Sequence, residues 1–437
     1  VKNCVAAIFL SLFLLPSTVP LASDTFSLRA GMGYEVVSQR FFLDSLLTSG
    51  ADSLDALTSQ NTTYLDDYKT FIIAEVTLLD RRRWDLRFQP ELTSDYLRLR
   101  LYSDNRLALG KHTLQINNEL DRRDLHHGQP EAGDEYTYGA IRSRLNLNLG
   151  ERTTQFWQAR GSFVQFDSAA DYNYNHYRLS GDVGVSRSFA DFSSLSGYLF
   201  AGTRQVADST DQNYRNFGAE LDLFAFYTGG DLDLSTRLER KDYNRPVGED
   251  DFTRWEVIGT NTLEVSSQVS LRQQVDMEFV SFSDSDLINP DYFRGKFRGQ
   301  AGRIGDVWKV WLGPELEYLT EATTEYTTTS EDYLELGLQV DFDLLLLGKL
   351  FAAVGNSFGR RGYIREDGPE PDTLFTDPEI DFSLTDFYYE RLSLLGDWKL
   401  SRSIGFNVLL SAEWEWHETA SDNSRLVLFS SALTYRF

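Results

Sequence analysis

The sequence predicts an all-β fold, a transmembrane antiparallel up-and-down β-barrel of about 20 strands, with about 18 as the alternative count. Three observations carry this expectation. Apolar and polar residues alternate in short runs along nearly the whole chain. Aromatic residues make up 14% of it, with 22 Tyr, 30 Phe and 8 Trp. The connections between runs are tight and long by turns.

Alternation marks strands because successive side chains point to opposite faces of a sheet. Leu232, Leu234, Thr236 and Leu238 alternate with Asp231, Asp233, Ser235, Arg237 and Glu239. Val269, Leu271, Val275, Met277 and Phe279 oppose Ser270, Arg272, Gln274, Asp276 and Glu278. Leu334, Leu336, Leu338, Val340 and Phe342 oppose Glu335, Gln339, Asp341 and Asp343, and Ile404 to Trp416 repeats the pattern. A barrel shows one side chain in two to lipid and the other to a polar interior. Only 41% hydrophobic residues and a net charge of -24 are therefore compatible with membrane insertion. No apolar stretch approaches the roughly 18 residues of a transmembrane helix.

Taken in order, the chain opens with Lys2, an apolar run from Val5 to Leu15, and the helix breakers Pro16 and Pro20. This reads as a cleaved signal peptide over 1–22, leaving 23–437 as one barrel domain. Cys4, the one cysteine, falls in that leader, so no thiol or disulfide chemistry is expected afterwards. The first strand is expected from Thr25 or Phe26, which leaves no room for an N-terminal plug. Tight turns are expected at 80–82, 103–106, 149–152, 188–194, 228–231, 266–268, 305–306, 348–349 and 400–403. Longer, Asp-rich loops are expected at 39–67, 121–135, 242–251, 283–291, 320–332 and 364–380. Residues 83–92 and 95–102 read as two strands joined by a very short loop. By phase, Trp84, Trp157, Trp308 and Trp398 face lipid near tight turns and Trp255, Trp414 and Trp416 face it near long loops, which gives two interfacial belts. Trp311, Phe224 and Phe226 break the rule and point inward.

The chain ends Leu433, Thr434, Tyr435, Arg436, Phe437, a terminal phenylalanine with apolar or aromatic residues at every second position before it. This resembles the terminal-strand signature of bacterial outer-membrane β-barrel proteins. The resemblance implies tight turns at the periplasm, long loops outside the cell, contact with outer-membrane lipid and lipopolysaccharide, and Tyr435 and Phe437 as a signal to the barrel-assembly machinery.

The same phase puts Asp85, Arg87, Arg98, Arg100, Arg142, Arg144, Arg160, Glu220, Asp222, Arg237, Glu239, Arg272, Asp276, Glu278, Arg294, Lys296, Arg298, Lys309, Glu315, Glu317, Asp341, Asp343, Glu413 and Glu415 in the lumen. Arg294, Lys296 and Arg298 stand out as three successive inward positions of one sign. They suit either a selectivity lining or a ladder of ion pairs that holds the wall. Phe42, Leu43, Leu46, Leu47, Leu54 and Leu57, broken at Gly50, have the loose spacing of an apolar helical face, for a constriction or an anchored external loop.

Enzymatic chemistry is not indicated. His112, His126, His127, His176 and His417 stand in no spacing that specifies a metal site or a nucleophile. Asp284, Asp286 and Asp291 lack a calcium-loop pattern. No cofactor is expected. An excess of 66 acidic over 42 basic residues disfavours nucleic acid. Oligomeric state stays open. The expectation is a passive diffusion channel for small hydrophilic solutes or ions. The alternative is a non-conducting barrel whose acidic external loops hold a partner, a glycan or a divalent cation.

Overall fold

The computed structural model describes residues 26–43, 58–81, 84–93, 96–125, 135–167, 175–190, 192–207, 213–244, 251–283, 291–321, 332–346, 348–364, 386–417 and 423–436. Among them are twenty strands and no helix. The first ten are β1 (Phe26–Leu43), β2 (Thr58–Arg81), β3 (Trp84–Thr93), β4 (Tyr96–Leu109), β5 (His112–Leu125), β6 (Tyr136–Asn148), β7 (Thr153–Phe166), β8 (His176–Ala190), β9 (Ser193–Val206) and β10 (Tyr214–Tyr227). The second ten are β11 (Gly230–Tyr243), β12 (Phe252–Ser266), β13 (Val269–Phe282), β14 (Tyr292–Ile304), β15 (Trp308–Glu321), β16 (Tyr333–Leu346), β17 (Leu350–Tyr363), β18 (Phe387–Lys399), β19 (Ile404–His417) and β20 (Ser424–Arg436). Each pairs antiparallel with its sequence neighbours, and β20 pairs with β1 from Arg29↔Arg436 to Arg40↔Arg425. The ring is closed, so no row of backbone donors and acceptors is left at an edge.

Which face is inside follows from the ion pairs. Arg272 on β13 reaches Asp341 on β16, and Arg391 on β18 reaches Glu335 on β16, each passing over intervening strands. Only the concave face brings non-adjacent strands that close. The opposite face carries exposed Leu179, Leu199, Leu221, Leu238, Leu336 and Leu338, as a lipid-facing surface requires. Exposed Trp157 and Trp398 lie on it near the tight turns, and Trp255 and Trp416 near the long loops.

Several expected boundaries move. Residues 103–106 are not a turn but the middle of β4, which continues to Leu109. Ser-Asp-Asn-Arg is turn-forming by composition, but Asn105 on β4 and Asn118 on β5 each donate a side-chain hydrogen bond to Ser103 Oγ. The reversal instead uses Gly110, whose φ of 65° is open to glycine and costly for most other residues. At 39–67, β1 continues to Leu43 and β2 begins at Thr58, so Phe42 and Leu43 are strand residues. Leu46, Leu47, Gly50, Leu54 and Leu57 lie outside the described residues, as do the 1–22 leader, His126, His127, Asp284, Asp286 and Phe437. At 121–135, Asp121 and Asp124 belong to β5 rather than to a loop.

Candidate functional site: the lumen wall

The long-loop rim is built from a repeated joint. Asn175, Asn213, Asp251, Asp291, Asp332, Asp386 and Asn423 each stand one residue before a strand that descends from the rim. A side-chain oxygen of each accepts a hydrogen bond from the last backbone N–H of the strand before, at Phe166, Val206, Tyr243, Phe282, Glu321, Tyr363 and His417, over 2.5 to 2.9 Å. For Asn175, Asn213, Asp251 and Asp332 the residue's own carbonyl also accepts the N–H one position past the end of the strand on its other side, at Ala207, Asn244, Ser283 and Ile364, so one residue ties three neighbouring strands at the rim. The next residue is often aromatic and points inward, where it meets the ring across the hairpin. The pairs are Tyr214–Tyr243 at 5.7 Å, Phe252–Phe282 at 5.8 Å and Tyr333–Tyr363 at 6.1 Å, and Tyr136, which follows Glu135 at the same rim, meets Phe166 at 6.3 Å. Two outward belts therefore do not account for all of the aromatic content. A third ring lines the inside of the mouth, where such edge-to-face pairs add to burial.

Below the rim, every described member of the inward set expected from the alternation lies on the concave face in the register of its strand. The basic stripe on β14 is matched by carboxylates on β15. Arg294 Nε lies 3.0 Å from Glu317, Lys296 Nζ lies 3.0 Å from Glu315 and 3.1 Å from Glu317, and Arg298 pairs with Glu315. Glu315 and Glu317 are buried beneath these cations. The ladder continues on β16, where Glu335 is fully buried between Arg361, at 2.8 Å, and Arg391, at 2.7 Å. Arg391 also holds Glu413 at 2.6 Å. Asp341 accepts hydrogen bonds from Arg272, Gln300 and Gln339, and Asp343 lies opposite Lys309. Of the two readings of the stripe, the geometry is that of an ion-pair wall.

Small residues let aromatic rings lie inside this wall. Trp311 points inward and is buried, with the Arg272 guanidinium 4.5 Å above its ring. A Cβ on Gly302, its partner on β14, would collide with the indole. Tyr389 is seated the same way, over Gly337 and Gly359. Phe224 and Phe226 meet edge-to-face at 5.1 Å, and Phe226 meets Phe192 at 6.2 Å, which makes a small apolar patch inside the tight-turn end.

The arc from β6 to β9 differs. Its described inward side chains include Arg142, Arg144, Arg160, Arg178 and Arg204 against one carboxylate, Asp182. Arg142 stands directly opposite Arg160, and Arg178 directly opposite Arg204. Like charges in such positions repel. Arg142 Nε donates to Gln158, Arg144 Nε donates to Asn146 and its guanidinium lies 4.3 Å over Phe156, and Arg160 pairs with Asp182 at 3.0 Å. Neither Arg178 nor Arg204 has an ion-pair partner among the described residues. On β4 and β5, Arg98 and Arg100 share the buried Asp121, at 2.5 Å and 3.8 Å. Asp121 is thus a member of the wall, although its place in a polar run reads as loop.

Of the described histidines, His112 accepts from the Asn148 N–H, and His417 lies 4.7 Å from the Phe387 ring. Among the described residues no three His, Cys, Asp or Glu side chains converge as metal ligands. Asp291 serves the rim joint.

No protein-family model matches the sequence, and no curated protein matches it either. Solved structures do resemble the fold. The siderophore receptor PirA from Pseudomonas aeruginosa superposes with a TM-score of 0.50 at 10% identity, over 94% of this chain and 80% of that one. The copper transporter OprC gives 0.50 at 9% identity, over 95% and 82%. Acinetobacter baumannii OccAB3 gives 0.46 at 9% identity, over 95% and 100%. The chain is a barrel of the bacterial outer-membrane type. That statement concerns architecture, and it agrees with the apolar outer face and the two tryptophan belts.

Proposed function

We propose that this barrel is a passive diffusion channel of the outer membrane for small hydrophilic solutes or ions. The observation that carries the reading is a charged inner wall on a ring too wide for its own side chains to fill. Twenty strands spaced about 4.8 Å apart and tilted about 40° close on a backbone radius of roughly 20 Å. Arg142, Arg160 and Arg178 are exposed on that wall, where a water-filled lumen hydrates them. Asp251, Asp291, Asp332 and Asp386 are engaged in the rim joints, so these loop-base acids are not a ready-made cation site. As partners we propose outer-membrane lipid and lipopolysaccharide around the apolar face, and the assembly machinery at the last strand. There Tyr435 is exposed beside Ala30 and Ile404.

Planar-bilayer recording of the refolded chain tests the proposal. Discrete conductance steps that grow with salt are expected. Silence over many verified insertions would overturn it.

A further inference from the structure

The lumen wall contains a recess of about 850 Å³ whose lining includes Arg142, Arg160, Arg178, Tyr138, Ser162 and Ser180. Its three arginines come from three consecutive strands, β6, β7 and β8. Arg142 and Arg160 face each other directly, and Arg178 is one step along, since Ser162 is its partner on β7 while Arg160 is opposite Ser180. All three are exposed to the lumen. Arg142 spends its Nε on a neutral amide, Gln158, and Arg160 shares Asp182 with the Gln158 amide. Arg178 has no hydrogen-bond or ion-pair partner among the described residues. Glu119, which also lines the recess, forms no ion pair with any of them.

Directly opposed like charges are destabilising, and on two other arcs they are answered by counter-charges or by a ring. Glu317 and Glu335 are opposed on β15 and β16, but Arg294, Lys296 and Arg361 neutralise them. Arg98 and Arg123 are opposed on β4 and β5, but Arg98 has Asp121, and Arg123 lies over the Tyr96 ring. The recess is also lined by Glu75, Asp85 and Asp104, but Arg87 holds Glu75 and Asp85 and Arg106 holds Asp104, and on β6 to β8 the one described inward carboxylate is Asp182. Guanidinium groups present several N–H donors in a planar fork that fits the oxygen pairs of carboxylates and phosphates. Ser162, Ser180 and Tyr138 add hydroxyls at its edge.

We propose that this recess is a binding site for a small oxyanion, a carboxylate or phosphate group, which supplies the charge missing from β6 to β8. The site deepens the channel reading by naming a solute class, and it requires of that reading only that the lumen be open to solute.

The test measures binding directly rather than conduction. The full chain, folded in detergent and checked by heat-modifiable gel mobility, is titrated calorimetrically at low ionic strength with inorganic phosphate and, separately, with succinate. Saturable binding of at least one probe is expected, and the probe that binds names the class. R142Q/R178Q should weaken it by about tenfold or more, and R178K should fall between, because it keeps the charge and loses the fork. R178Q alone provides a folded variant in any case, since Arg178 holds no partner among the described residues. R294Q, on the self-neutralised ladder, should leave binding unchanged. No saturable binding of either probe, or equal weakening by R294Q and R178Q, would overturn the site. A conducting barrel that binds neither probe loses the site and keeps the channel. A barrel that binds and never conducts keeps the site and loses the channel.

Discussion

On the arc from β14 to β18, Arg294, Lys296, Arg298, Arg361 and Arg391 each contact a carboxylate, and the carboxylates between them are buried. On the arc from β6 to β9, Arg142 and Arg144 bond to amides, Arg160 has the one acid, and Arg178 and Arg204 have none among the described residues. Both arcs are rich in cations. In the first, charge is consumed in holding strands together. In the second it stays available to the lumen. The difference teaches that a run of one sign along a strand says little about the field it makes, because the neighbouring strand decides whether that charge is cancelled.

The largest effect should come from Glu335. Glu335→Ala leaves Arg361 without its counter-ion beside Arg391, which keeps only Glu413, and removing one partner of a buried pair costs about 3–5 kcal/mol. Urea titration of the refolded barrel should show a large drop in midpoint, and an unchanged midpoint would break the idea of a load-carrying wall. Next, R294Q/K296Q/R298Q strands Glu315 and Glu317, so it should cost roughly 3 kcal/mol. Adding E315Q and E317Q to it should recover most of that loss, and failure to recover would mean that the ladder acts through something other than charge pairing. Smallest in stability is R142Q/R160Q/R178Q, expected within about 1 kcal/mol of the parent because exposed charges contribute little. Its signature is electrical. Reversal potentials should move toward cations, with a permeability ratio changed on the order of twofold at low salt and shrinking as the Debye length falls to about 3 Å at 1 M. A larger shift from the β14 triple variant than from this one would reverse the comparison.

Much of the architecture was legible in the sequence because period-two alternation is imposed by the solvent on each side of the wall. The strand number, the inward phase of Glu315, Glu317, Asp341 and Asp343, and the outward Trp157 and Trp398 all follow from it. Turn placement was less legible where composition and conformation disagree, as at 103–106, because Ser103 can accept from asparagines on its own and the neighbouring strand and so sit within a sheet. The ion-pair wall was half legible. Its cations are consecutive on one strand, but the pairing is a property of register between strands. The basic arc was harder still, since Arg142, Arg160, Arg178 and Arg204 are spread over four strands and become neighbours only in the folded ring. Asp121 was hidden by the polar Asp-Arg-Arg-Asp run around it. The rim joints had a readable signal that alternation alone does not catch. An Asn or Asp followed by an aromatic or histidine recurs at near-regular intervals, at Asn175, Asn213, Asp251, Asp291, Asp332 and Asp386.

Those joints have a consequence for how such a chain changes over generations. The stretch between Tyr363 and Asp386 is far longer than that between Phe166 and Asn175, yet both hairpins close through the same bond to the same backbone position. Whatever is spliced between the two halves of a joint begins and ends on a fixed footing. The segments between the halves of a joint can therefore be lengthened, shortened or exchanged without renegotiating the register of the wall beneath, and conservation within this lineage should stop abruptly at the joint residues. A foreign peptide inserted there would be displayed at the surface on a scaffold indifferent to its length.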